Sequence, residues 1–221
     1  MVSHRLVTLA LVATGLTVSL EAAGGPLVEA AELAIAFETE SACRGRLDFT
    51  LAGIEGRADV EHRLMLYEGS EVEDVAVSGL GVAGAPRIVG RSLALGVRVA
   101  EGRGAYRIDY RVAQPRAWRF RCPVWVPVVP AAAGPGNVRL RIELPPGATP
   151  VGGQFPLLHW SSRTGEVRLG NIPALVRAPF AAAGRRVGLL ERVGTARLVD
   201  LVTVALLAGG TAVWVLVRRR G

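Results

Sequence analysis

Between Tyr106 and Val112 apolar and charged residues alternate without a break: Tyr106, Ile108, Tyr110 and Val112 on one side, Arg107, Asp109 and Arg111 on the other. Successive side chains of a strand point to opposite faces, so this run separates its apolar from its charged set only when extended. A helix would mix the two sets around its axis. The same alternation sets Val138, Leu140, Ile142 and Leu144 against Arg139, Arg141 and Glu143. It returns at Leu33, Ile35 and Phe37; at Leu47, Phe49 and Leu51; at Val60, His62, Leu64 and Leu66; at Leu93, Leu95, Val97 and Val99; and at Val167 with Leu169. Gly102 to Gly104 and the Pro145-Pro146-Gly147 triplet are expected to punctuate these runs as turns. Seven or more short strands, each with one solvated face, predict an all-β fold, an antiparallel immunoglobulin-like β-sandwich over residues 26–180.

One stretch departs from the alternation. Pro123, Pro127, Pro130 and Pro135 cannot all sit in a central ladder, so the segment is expected as an edge strand or an extended loop. Trp125 lies inside it. An apolar edge invites pairing with another chain unless something covers it, so the segment is expected either to pack beneath a neighbouring loop or to meet a partner through Trp125. The Tyr-Arg-Ile-Asp-Tyr-Arg-Val run, followed downstream by Leu-Pro-Pro-Gly, resembles ectodomains of bacterial membrane proteins that carry an immunoglobulin-like sandwich. No residue role is carried over from that resemblance.

The two ends place this domain relative to a membrane. Leu201 to Val217 is an uncharged run followed by Arg218, Arg219 and Arg220. At about 1.5 Å per residue it covers roughly 25 Å, and with Leu198 and Val199 it nears the thickness of a bilayer core. A transmembrane helix over 198–217 with a cytoplasmic tail at 218–221 is the expectation. A surface-sorting signal has the same outline, but its recognition motif is missing from Gly194-Thr195-Ala196-Arg197. His4 and Arg5, the apolar stretch Leu6 to Leu20 and the small residues Ala22 and Gly24 read as a signal peptide over 1–24, with an uncleaved first helix as the alternative. Arginines flank both sides of the span, so the signal segment rather than charge asymmetry sets the orientation, with the main domain extracytoplasmic. Val187, Leu190 and Val193 recur at helical spacing within 181–197, where Gly188 and Gly194 make a flexible stalk the competing expectation.

All 26 basic residues are arginine, and the net charge is +7. That composition fits a GC-rich bacterial coding bias. Nucleic-acid binding would need the charge gathered beside stacking aromatics in a recognisable module, and none is present. The expected partners are the lipid bilayer and another envelope or membrane protein. Cys43 and Cys122 are the only cysteines, an even pair on a chain expected in an oxidising compartment, and a disulfide between them is predicted. Zinc would need two further ligands, and neither His62 nor His159 stands at ligand spacing from the cysteines, so no metal or cofactor is expected.

Catalytic signals are weak. His159, Trp160, Ser161, Ser162 and Glu166 cluster in sequence, but a triad is a spatial arrangement and no Gly-x-Ser-x-Gly elbow occurs. A turn between strands accounts for the cluster. His62 falls on the apolar side of its run, as a hydrogen-bonded core histidine would. An envelope hydrolase or metal-dependent enzyme using His62 or His159 is therefore the second reading. The first is a membrane-anchored, non-enzymatic domain that binds or scaffolds an envelope component. Arg107, Arg111, Arg139 and Arg141 are its candidate contacts, provided that their strands pair and line one surface with guanidinium groups. Interleaved Asp109 and Glu143 allow an ordinary solvated face instead.

Overall fold

Each alternating run becomes a strand in the computed structural model, because extension is the conformation that buries all its apolar members together. Residues 25–184 are described, apart from 55, 80, 100, 101 and 131–135. The expected signal segment, residues 185–197 of the expected stalk, the span and the tail lie outside the described residues. Among the described residues no helix is long and apolar enough to cross a membrane.

The strands are β1 (Leu27–Phe37), β2 (Ala42–Ile54), β3 (Ala58–Met65), β4 (Glu71–Gly79), β5 (Gly81–Ala83), β6 (Arg87–Val89), β7 (Ser92–Val99) and β8 (Gly102–Ala113). After a short 3-10 turn at Arg116–Trp118 come β9 (Arg121–Pro123), β10 (Val126–Pro127), β11 (Val138–Glu143), β12 (Thr149–Pro150), β13 (His159–Ser161), β14 (Thr164–Leu169), β15 (Leu175–Arg177) and β16 (Phe180–Ala181). A seven-stranded sheet runs β13-β14-β11-β1-β2-β8-β4, and a five-stranded sheet runs β10-β3-β7-β5 with β6 beside β7. The fold is all-β and its sheets are open.

One expectation needs correction: β1 and β11 pair in parallel, Ala31 opposite Val138 and Ile35 opposite Ile142. Strand β11 begins after a long connection that returns the chain to the end where β1 starts, which is the only way a parallel neighbour can arise. Strand β4 is also absent from the expected set. It is acid-rich and broken by a bulge between Glu73 and Ala76, so its alternation is not regular in sequence.

Inward residues of both sheets merge into one core, with Leu33, Ile35, Leu47, Phe49, Ile108 and Leu140 from the larger sheet and Val60, Leu64, Leu95 and Val97 from the smaller. Each such side chain stabilises the fold by about 1.5–3 kcal/mol through burial. Gly45 points into this core opposite Tyr110, and a Cβ there would stand 2.1 Å from Tyr110 Cε1. The missing side chain is what lets the tyrosine ring lie across β2. Its hydroxyl donates to the Pro123 carbonyl at 2.8 Å.

Register defines the two ends of the domain. The last residues of β1 and β8 meet the first of β2 and β4 at one end, where Phe37 faces Cys43 and Ala113 faces both Ala42 and Glu71. The end of β3 and the start of β7 lie at that end too: Tyr67, just past Met65, stacks on Trp118, just past β8, with centroids 4.2 Å apart. The chain's last described residues leave from the same place. Phe180 packs edge-on against Phe37 and Phe120, at 6.0 and 5.1 Å.

Candidate functional site

The outer face of the seven-stranded sheet carries the predicted arginines, but not as expected. Strands β8 and β11 do not pair; β1 and β2 lie between them, so Arg107 and Arg111 are separated from Arg139 and Arg141 by three strand spacings, roughly 14 Å. Three of the four are already committed. Arg107 Nε donates to Asp48 at 2.7 Å, Arg111 reaches Glu38 at 2.9 Å and Glu73 at 2.6 Å, and Arg139 meets Glu166 at 3.2 Å. Arg44 also pairs with Glu38, and the two guanidinium groups, Arg44 first, hold that carboxyl below the usual carboxylate range. These are cross-strand pairs on a solvated face.

Arg141 is different, since it is exposed and makes no ion pair among the described residues. Its register partner on β14 is Glu166, whose carboxylate pairs with Arg139, and its partner on β1 is Ala34, which faces Arg46 of β2 on the other side; Ala36 likewise lies between Glu143 and Arg44. The small alanine side chains on β1 leave a floor, and the long side chains of β2 and β11 rise beside it. The result is an open groove of about 440 Å³ lined by Ala34, Ala36, Arg44, Arg46, Arg141 and Glu143 among others. Arg44 and Arg46 were not singled out from sequence. The signal was available: extending the Leu47, Phe49 and Leu51 alternation back two residues gives outward Arg44 and Arg46 about an inward Gly45.

Trp125 is fully buried and packs edge-on against Tyr110 at 6.4 Å. It is a core residue, and the partner contact offered as one expectation for it is withdrawn. The proline-rich segment up to Pro130 is threaded into the fold, Pro135 lying outside the described residues: β9 pairs with β15, Val124 N–H donates to the Ala174 carbonyl, and Val126 and Pro127 form the edge strand of the smaller sheet beside β3. Proline is tolerated there because an edge has only one ladder to satisfy. Trp160 is half-buried over Gly165 and donates from Nε1 to Gln154 at 3.3 Å.

The two histidines do not come together. His62 is sealed between the sheets beside Phe49 and Tyr106. Its Nδ1 faces the Val60 carbonyl at 3.3 Å and its Nε2 the Tyr106 hydroxyl at 3.0 Å, so a proton on Nδ1 lets the ring donate to the first and accept from the second. Burial lowers its pKa to about 4. Because the folded value lies below the ordinary 6.5, this neutral ring supports the fold fully above about pH 6.5, and the support is lost as pH falls toward 4. A loss of about 3 kcal/mol across that window is expected. Chemical unfolding at pH 7 and pH 4, with His62→Gln flattening the dependence, checks it. His159 is exposed on edge strand β13, opposite Glu166, and Ser161 to Thr164 form the hairpin turn. Among the described residues no three His, Cys, Asp or Glu side chains converge to hold a metal ion.

Cys43 and Cys122 are buried side by side as free thiols, 2.6 Å apart, beyond the roughly 2.05 Å of a disulfide bond. The adjoining Cys122 sulfur, and then burial, push the Cys43 thiol well above its ordinary value.

No family model matches the chain, and no curated protein matches it. Solved structures overlap it partially. Yeast LTA4 hydrolase aligns with 69% of this chain and 29% of its own, at 13% identity and a TM-score of 0.42. An M1 zinc metallopeptidase from Deinococcus radiodurans aligns with 69% of this chain and 42% of its own, at 12% identity and 0.37. Its E323A mutant bound to Tyr-Ser-Ala covers 78% and 51%, at 15% and 0.36. The chain thus spans about a third to a half of these proteins, and overlaps this loose carry no functional argument.

Proposed function

We propose that the chain is a single-span, membrane-anchored envelope protein whose immunoglobulin-like β-sandwich binds or scaffolds another envelope component, without catalysis of its own. The groove over Ala34 and Ala36 is the contact, and it receives a carboxylate or phosphate of that component. The observation that carries this is Arg141: an exposed guanidinium that makes no ion pair among the described residues, beside a floor of small residues and across from Arg46. A guanidinium recognises either anion through paired N–H donors. The anchoring half of the proposal rests on Leu201 to Val217 and the arginines behind it. The hydrolase reading gains no support from a sealed His62 and a remote His159.

Crosslinking in the native membrane followed by recovery of the full-length protein is expected to bring down a reproducible partner. Arg141→Glu should lower that recovery at least about tenfold by reversing the charge at the contact. The residue is exposed, so the fold should tolerate the change. Unchanged recovery would remove the groove from the proposal, and release of the protein from membranes by alkaline carbonate would remove the anchor.

A further inference from the structure

The end of the domain from which the chain departs carries exposed apolar side chains that no strand pairing covers. Ile88 is 77% exposed, Met65 49% and Val89 41%. Register makes them neighbours, because Met65 and Val89 both face Ser92, while Ile88 faces Leu93. The tip of the β6–β7 hairpin is pinned to the end of β3 by the Leu66 N–H donating to the Arg91 carbonyl at 3.0 Å. These side chains are therefore presented by a held hairpin.

Aromatic and cationic groups share that end. Tyr67 and Trp118 stack within 19° of parallel, and the Arg121 guanidinium lies 4.6 Å above the Trp118 ring. Arg91 and Arg116 are exposed, and neither makes an ion pair among the described residues. Phe155, 58% exposed, bridges to Arg177, which pairs with Arg121, and so borders the same end. An apolar tip with Trp, Tyr and Arg around it suits the headgroup region of a bilayer, where amphipathic rings settle and guanidinium groups meet phosphates.

The chain itself says which bilayer. Sixteen residues, 185–200, separate the last described residue, Gly184, from the apolar run at Leu201. Even fully extended they reach no more than about 55 Å, which holds the domain close to the bilayer, and the exposed apolar tip at the departing end is what turns that end toward it. We infer that this end rests on the leaflet that receives the chain's own apolar run, with Ile88 and Val89 entering the headgroup–acyl boundary and Arg91 and Arg116 on lipid phosphates. This rests on the anchoring proposed above. It adds that the domain lies against the membrane in a fixed pose, with the Arg141 groove on its side.

The test uses full-length protein in vesicles of phosphatidylcholine and phosphatidylglycerol, with an environment-sensitive dye attached at Ile88→Cys or, as the control, at Arg57→Cys. Arg57 is exposed in the turn between β2 and β3, at the opposite end. Both native thiols are buried, so the dye goes to the introduced one. Quenching by lipid-borne nitroxide is expected to be at least about twofold stronger at Ile88 than at Arg57, as for a group roughly 5–10 Å into the interface. If the protein resists carbonate extraction and Ile88 is quenched no more than Arg57, the pose is wrong while the anchor stands. Shielding of Ile88 from aqueous iodide without lipid quenching would show a second copy on the tip and would likewise overturn it. If carbonate releases the protein, the anchor and the pose fall together.

Discussion

Trp125→Ala is expected to lower the unfolding free energy by about 3–5 kcal/mol, the range for removing a large aromatic from a packed core. The indole is fully buried, stands edge-on to Tyr110, and lies in the segment that closes one side of the smaller sheet. Among the described residues no protein atom accepts from its buried Nε1–H. Trp125→Phe therefore keeps most of the ring contact, forfeits no protein hydrogen bond, and should cost less than half as much. Denaturant unfolding of the two variants decides the matter. A loss under about 1 kcal/mol for Trp125→Ala would contradict a core role, because that is the scale of an ordinary surface substitution.

Oxidation of Cys43 and Cys122 to a disulfide is expected in protein that has passed through an oxidising compartment, and reducing it should remove about 4 kcal/mol by freeing a loop of about 80 residues in the unfolded chain. The thiols already adjoin, so closing the bond asks for little backbone movement. Their burial shapes the measurement. Thiolate is the reactive form, and a buried Cys43 with a raised pKa offers little of it, so oxidation is expected to precede closure of the core. Native alkylation would then report burial rather than redox state. Alkylation in denaturant without reductant, followed by peptide mass spectrometry, should recover a linked Cys43–Cys122 pair; two alkylated cysteines would refute it.

Local sequence was sufficient wherever a residue's fate depends on its neighbours along the chain. Alternation about Ile108 or Leu140 settles both extension and which face is buried, because a strand's side-chain period is set by its backbone. His62 as a core residue and the turn after Ser161 were legible for the same reason, the first from its place in an apolar set and the second from chain direction. Position between strands was not legible. That β1 and β2 lie between β8 and β11, and that β1 runs parallel to β11, follows from connections of tens of residues, over which the alternation says nothing. This ordering dispersed the four predicted arginines, left Arg141 beside Ala34, and brought Arg46 to the opposite wall. Trp125 shows the same division. Its prolines announced an edge, which β10 is, but whether the indole turned outward or into the core depended on Tyr110, whose ring lies over Gly45 of β2 and meets the indole edge-on only in the folded chain.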